Sequence, residues 1–289
     1  MIIFDGKALA KKREILLSDR VKKLGKKITV AALVFSEDKA SQLYTRLKAE
    51  AAARVGIEYK VQLFSVKEPL DGVLEQVAHW NTDPEITGII IQKPLKNTWV
   101  EVTGSLPESY AEWWKQLVAS ISAAKDVDGL HPETLAAIQK GPWPQAGKVL
   151  PATARAVECI LDEAQLLQKT SKIIIIGRTE LLGIPLAAAL QHRGFAIELI
   201  GRKELVARQQ SGQELKDADI IVTATGVQGL IKGEMIKNGV ALVDVGEPKA
   251  DVDQESVSEV AGFLTPVPGG VGPMTISCLL ENAIELVHQ

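Results

Sequence analysis

The chain has 289 residues, 46% hydrophobic and 24% charged, which excludes a disordered or fibrous protein and leaves room for about two domains at ~150 residues each. A net charge of -3 gives no global electrostatic reason to bind nucleic acid or an anionic membrane. Two cysteines, Cys159 and Cys278, are too few for a disulfide framework or a zinc site, and four scattered histidines add no metal signature.

No run approaches the ~18–20 uncharged apolar residues that span a bilayer. The opening MIIFDGKALAKKREILL lacks the order of a signal peptide and reads as mature sequence. With aromatics at only 4%, the core must be built from Ala, Val, Ile and Leu. The expected class is a cytoplasmic α/β enzyme.

Helical periodicity covers 7–24, 38–55, 69–80 and 108–121, with β-branched runs between at 28–35, 59–64 and 87–92. Pro and Gly then cluster in GPWPQAGKVL, 141–150. Beyond it, helices are expected over 153–168, 183–193 and 273–288, and strands over 172–177, 196–201, 219–225 and 240–245. Runs this apolar suit parallel strands buried on both faces, joined by right-handed helical crossovers. The division is placed at 148/149, giving a first domain over 1–148, to which 274–289 returns, and a Rossmann-like second domain over 149–273.

Several segments carry candidate chemistry. Ser41, Tyr44 and Lys48 share one helix face, although an ordinary surface helix with one more lysine has the same pattern. Gln92 closes an apolar strand, so by alternation it and Lys93 point opposite ways, and Gln92 either faces a pocket or simply caps the sheet. In KDVDGLHP, 125–132, Asp126 or Asp128 could accept from a donor edge, or one of them caps the following helix.

Gly177 and Gly183 mark a turn between a strand and a helix N-terminus, where a phosphate fits; a tight βα turn without a ligand looks the same. Arg178 lies in this turn and Arg202 follows the next strand, which suits the 2′-phosphate of NADP, while Glu204 leaves an NAD ribose contact open. TPVPGGVGPMT, 265–275, has too rigid a backbone for a plain linker and reads as a binding loop.

The segments SQLYTRLKAEAAARVGI, GIIIQKPL, KDVDGLHP, GRTELLGIP, ADIIVTATG, VALVDVG and TPVPGGVGPMT occur in this order over nearly the whole chain. Together they resemble the bifunctional methylenetetrahydrofolate dehydrogenase/cyclohydrolase (FolD) family. The resemblance implies oxidation of 5,10-methylenetetrahydrofolate with NADP, then hydrolysis of the methenyl product to 10-formyltetrahydrofolate, in one-carbon metabolism. It also implies a homodimer.

It carries the catalytic lysine onto Lys48, its amide partner onto Gln92, the folate-stacking ring onto Tyr44 and the pterin carboxylate onto Asp128. Ser41, Pro268, Gly269 and Gly270 join the implied substrate contacts. Gly177, Arg178, Thr179, Gly183, Arg202, Thr225 and Gly272 are the implied cofactor contacts.

The chain departs from the family pattern at Lys93, where leucine is usual, in PATA at 151–154 and at Arg202. The stretch 97–123, with Trp99, Trp113 and Trp114, looks longer than its counterpart. Two narrower readings stay open: a dehydrogenase without the hydrolytic step, suggested by Lys93, and a binding protein without turnover. Retention of Tyr44, Lys48, Gln92 and Asp128 together weighs against the second.

Overall fold

The alternation of strands and helices is present in the computed structural model, which describes residues 1–141 and 143–287. The chain runs β1 (Ile2–Ile3), α1 (Gly6–Leu24), β2 (Thr29–Phe35), α2 (Lys39–Val55), β3 (Glu58–Phe64), α3 (Leu70–Thr82), β4 (Gly88–Ile91). It continues through α4 (Lys96–Thr103), α5 (Ser109–Ser120), α6 (Pro132–Lys140), α7 (Ala152–Glu163), β5 (Lys172–Ile176) and α8 (Gly183–His192). Then come β6 (Ala196–Ile200), α9 (Arg202–Gln210), β7 (Ile220–Thr223), β8 (Ala241–Asp244), α10 (Gln254–Val257), β9 (Phe263–Leu264) and α11 (Val271–Leu286). Pro142 of the expected break, and the ends of the 273–288 helix and of the returning segment 274–289, lie outside the described residues.

Two compact units result: Met1–Lys12, Ala137–Pro144 and Leu150–Cys278 form one, and Arg13–Ala136, Gln145–Val149 and Leu279–Gln289 the other. The division therefore falls inside both α1 and α11.

The second of these units holds a parallel three-stranded sheet, β3-β2-β4. Every residue of the central strand β2 is buried, with Ala31, Leu33 and Phe35 feeding one core. The other unit holds a parallel six-stranded sheet, β1-β9-β8-β7-β5-β6. Alternate isoleucines of β5 serve opposite layers, Ile173 and Ile175 in one core and Ile174 and Ile176 in the other, which is why the strand is apolar throughout. Strand order reverses at β5: the chain goes outward to β6 and then back across to β7. Ligands of open α/β sheets bind at such a switch point, outside the carboxyl ends of the strands.

Among the described residues, six short strands and α-helices were not expected from periodicity. β1 and β9 are two residues each, too short to show alternation, and they pair with one another at the edge of the large sheet. The pairing sets Met1–Lys12 in the unit that holds this sheet. α4, α6 and α10 are at most nine residues long. α9 is polar nearly all round, with only Leu205 buried, so it has no apolar stripe to read. Strand 196–201 stops at Ile200, and Arg202 opens a helix. Arg202 and Glu204 therefore occupy the first turn of α9.

Candidate active site

Lys48 lies on the buried face of α2 with Ser41, Thr45, Ala51, Ala52 and Val55. It is only 8% exposed, and its Nζ donates to Gln92 Oε1 at 2.7 Å. Gln92 is placed by the sheet, its N–H donating to Leu33 O at 2.8 Å just beyond β4. Tyr44 sits half-buried one turn before Lys48.

The start of α2 is held by a residue the sequence reading passed over. Buried Asp38 caps the helix by accepting from Ala40 and Ser41 N–H, and its other oxygen accepts from Leu95 N–H at 2.6 Å. Ser41 Oγ is turned inward, 3.0 Å from Asp38 Oδ2 and 3.2 Å from Lys93 O. One carboxylate thus ties the helix of Lys48 to the loop after Gln92. The helical periodicity from 38 onward contained this signal, since an aspartate heading a helix is a ready N-cap.

Segment 125–127 runs parallel beside β4 through the Ile89–Asp126 bridge, which brings Asp128 to the carboxyl end of the sheet near Gln92. The two acids of KDVDG divide their work. Asp126 is buried and holds the loop, accepting from Gly129 N–H at 3.0 Å and His131 N–H at 2.6 Å. Burial pushes its carboxyl up to about 7, with those N–H bonds opposing and the Asp128 charge adding. Lys125 Nζ anchors the loop to Trp80 O and Asp83 O at the end of α3. From α11, Asn282 Nδ2 donates to Val127 O at 2.9 Å.

Asp128 is left for the site. Burial raises its carboxyl above the ordinary range, and the charge of Lys48 pulls it back. Burial lowers Lys48, and Asp128 pulls that back in turn. Tyr59 on β3 faces the same charge: burial pushes its phenol up and Asp128 adds to the shift. Neither Tyr59 nor Asn282 carries a sequence signal; each joins the group only through the packing of distant segments.

Lys93 points away from Gln92, as strand alternation predicts. Its Nζ lies 5.1 Å from the Trp114 ring and 5.8 Å from the Tyr110 ring. These rings belong to a cluster with Trp99 and Trp113 that packs on Phe35 of β2, and Tyr110 Oη donates to Pro94 O. The tryptophans of 97–123 are thus core side chains of α4 and α5, and Lys93 covers them with a cation–π contact.

In the other unit, Gly177 follows β5 with φ +121°, and its N–H donates to Ile200 O at 2.9 Å. A Cβ on Gly183 would sit 1.8 Å from Gly177 O, so only glycine lets α8 start this close to the turn. α8 opens without a side-chain cap, and Thr179 and Arg178 of the turn are exposed. Arg178 and Arg202 each stand two residues beyond the paired ends Ile176 and Ile200. Uncapped helix N–H groups and two guanidiniums fit a dinucleotide phosphate.

The partners of these groups differ. Arg202 donates to Thr225 O at 2.9 Å, whereas Arg178 pairs with Glu204 at 2.8 Å and donates to Leu199 O at 3.2 Å. Glu204 also accepts from Gly201 N–H at 3.1 Å. Thr225 N–H and Oγ1 both donate to buried Asp251, which also takes the Thr223 hydroxyl. The loop over 265–270 is anchored by buried Thr265, whose hydroxyl accepts from Asp244 N–H at 2.8 Å. Gly270 is buried, and a Cβ on Gly6 would strike its carbonyl at 1.8 Å, while Pro268 is exposed and Gly272 faces open space.

Residues 4–128 match the family description "Tetrahydrofolate dehydrogenase/cyclohydrolase, catalytic domain", and residues 151–289 match "Tetrahydrofolate dehydrogenase/cyclohydrolase, NAD(P)-binding domain". The bifunctional protein FolD of Methanoculleus marisnigri is 35% identical over 97% of this chain and 94% of its own. That of Hydrogenobaculum is 32% identical over 100% and 99%. The solved bifunctional FolD enzyme of Campylobacter jejuni has a TM-score of 0.85 and 30% identity, covering 100% of this chain and 99% of its own. The Trypanosoma brucei enzyme, solved with NADP and an inhibitor, has a TM-score of 0.85 and 26% identity over 99% and 97%.

Proposed function

Because the chain belongs to the tetrahydrofolate dehydrogenase/cyclohydrolase family, we propose that it oxidises 5,10-methylenetetrahydrofolate with NADP+ and hydrolyses the methenyl product to 10-formyltetrahydrofolate. The observation that carries the hydrolytic half is the buried Lys48 amine, hydrogen-bonded to an uncharged amide and opposed by one carboxylate.

NADP+, when bound, supplies the hydride acceptor. Arg178, Arg202 and the N-terminus of α8 hold its phosphates, in the turn that Gly177 and Gly183 make possible; Thr179, Thr225 and Gly272 line its place. Folate is held by Tyr44 against the ring and by Asp128 on the pterin's donors. Hydride transfer then asks of the protein mainly that the two reactants be positioned.

Ring opening asks for a proton to move between water and the ring nitrogen. A lysine does this near neutral pH only when its pKa is lowered, and burial does that here. Gln92 fixes one N–H, which orients the lone pair of the neutral amine without adding charge. Lys93 reaches the Trp114 and Tyr110 rings, which supports reading the hydrolytic step as retained. Ser41 supports this arrangement from below, through the Lys93 carbonyl.

The chain acts in the cytoplasm and as a homodimer in this reading. No helix among the described residues is long and apolar enough to cross a membrane. Purified protein, methylenetetrahydrofolate and NADP+ should give a transient methenyl absorbance that decays enzymatically. Methenyl that accumulates and decays only at the buffer rate would refute the hydrolytic half, and its absence the whole.

A further inference from the structure

We propose that Glu204 sets how strongly this chain prefers a dinucleotide bearing a 2′-phosphate, by competing with that phosphate for Arg178; the inference rests on the cofactor reading above. The observation is the dual engagement of one carboxylate. Glu204 Oε1 lies 2.8 Å from Arg178, and its Oε2 accepts from Gly201 N–H at 3.1 Å, which pins it to the first turn of α9. An acid there is favoured by the helix N-terminus and does not simply swing away.

Arg178 and Arg202 border this end of the sheet, Arg208 lies further along α9 beside Asp217 ahead of β7, and the commitments of the three differ. Arg208 is locked between Glu198 and Asp217, with its side chain only 12% exposed. Arg202 spends an N–H on the neutral carbonyl of Thr225. Arg178 alone of the three pairs with Glu204, in an ion pair whose side chains are 53% and 44% exposed. The pair borders an open groove of about 520 Å³ that extends along β6 and α9 past Leu199, Ile200, Ala207 and Arg208. An exposed pair of this kind is weak and screened by salt. A 2′-phosphate, with close to two negative charges, displaces the carboxylate but must do so against it. A ribose hydroxyl has no charge to compete with, so the penalty falls on the phosphorylated dinucleotide alone.

Glu204→Gln keeps an oxygen for Gly201 N–H and removes the charge. Titration calorimetry with 2′,5′-ADP and with ADP, on the wild type, Glu204→Gln, Arg178→Met and the double variant, tests the inference. The affinity ratio of 2′,5′-ADP to ADP should rise about two- to five-fold in Glu204→Gln, the scale of an exposed ion pair. The gain should shrink at high salt and vanish in the Arg178→Met background. An unchanged or smaller ratio in Glu204→Gln overturns the inference, as does a gain that persists without Arg178. If Arg178→Met leaves the wild-type ratio unchanged, the 2′-phosphate reading of Arg178 fails as well. If that ratio collapses while Glu204→Gln is silent, Glu204 alone is misread.

Discussion

The lysine site and the dinucleotide end are both built at the carboxyl edges of parallel sheets, yet they handle charge in opposite ways. Lys48 and Asp126 are buried, Asp128 is half-buried, and burial is the leading cause of each shifted pKa. At the other end Arg178, Arg202 and Thr179 are exposed. Proton transfer needs a group whose protonation is finely balanced, and removal from water lowers a lysine's pKa in that direction. Holding a phosphate needs fixed charge and free N–H groups, which solvent does not abolish. Substitutions should therefore act strongly at the first region and mildly at the second.

The largest effect is expected at the centre of the buried group. Lys48→Met should slow enzymatic hydrolysis of methenyltetrahydrofolate by at least about 10²-fold, the lower end of general acid–base contributions, while 2′,5′-ADP still binds. Hydrolysis at the wild-type rate would place the base elsewhere. Next is Asp128→Asn, which sets an amide against the pterin's donors. Folate binding should weaken by roughly 1.5–3 kcal/mol, the scale of a charged hydrogen bond, with nucleotide affinity unmoved. Equal losses for both ligands would point to misfolding and break the comparison.

Asp126 sharpens it through pH. Its folded pKa of about 7 lies above the ordinary 3.8, so the folded state binds more protons between those values. Stability from this group is fully present below pH 4 and is lost as pH rises through 7. Asp244, raised by burial to about 6, acts in the same direction. Calorimetric Tm across this window should depend less on pH in Asp126→Asn than in the wild type; an equal slope would mean that Asp126 is ionised throughout.

Asn282→Leu removes the donor to Val127 O and should cost about 0.5–1.5 kcal/mol of stability. It should also raise KM for folate more than for NADP+, since Val127 adjoins Asp128. Parallel changes in both KM values would reduce Asn282 to a packing residue. The smallest effect is expected at Lys93→Leu: loss of a cation–π contact worth about 0.5–1 kcal/mol, with hydrolysis intact. A large catalytic defect there would reopen the reading as a dehydrogenase alone.

By itself the sequence determined the strand–helix alternation, the two parallel sheets and the motifs that carry the resemblance. These are local properties: an apolar run of β5 or a stripe along α2 has its period whatever surrounds it. It also determined that Gln92 and Lys93 diverge, because strand alternation is a property of the backbone. Tertiary structure alone decided the rest. It set Asp126 to holding the 125–131 loop and brought in Asn282 from α11. It turned the tryptophans of 97–123 into core beneath Lys93 and set Arg202 and Glu204 in the first turn of α9. Such outcomes depend on which distant groups share a buried volume and on how far each is removed from water. A one-dimensional pattern contains neither quantity until the chain has packed.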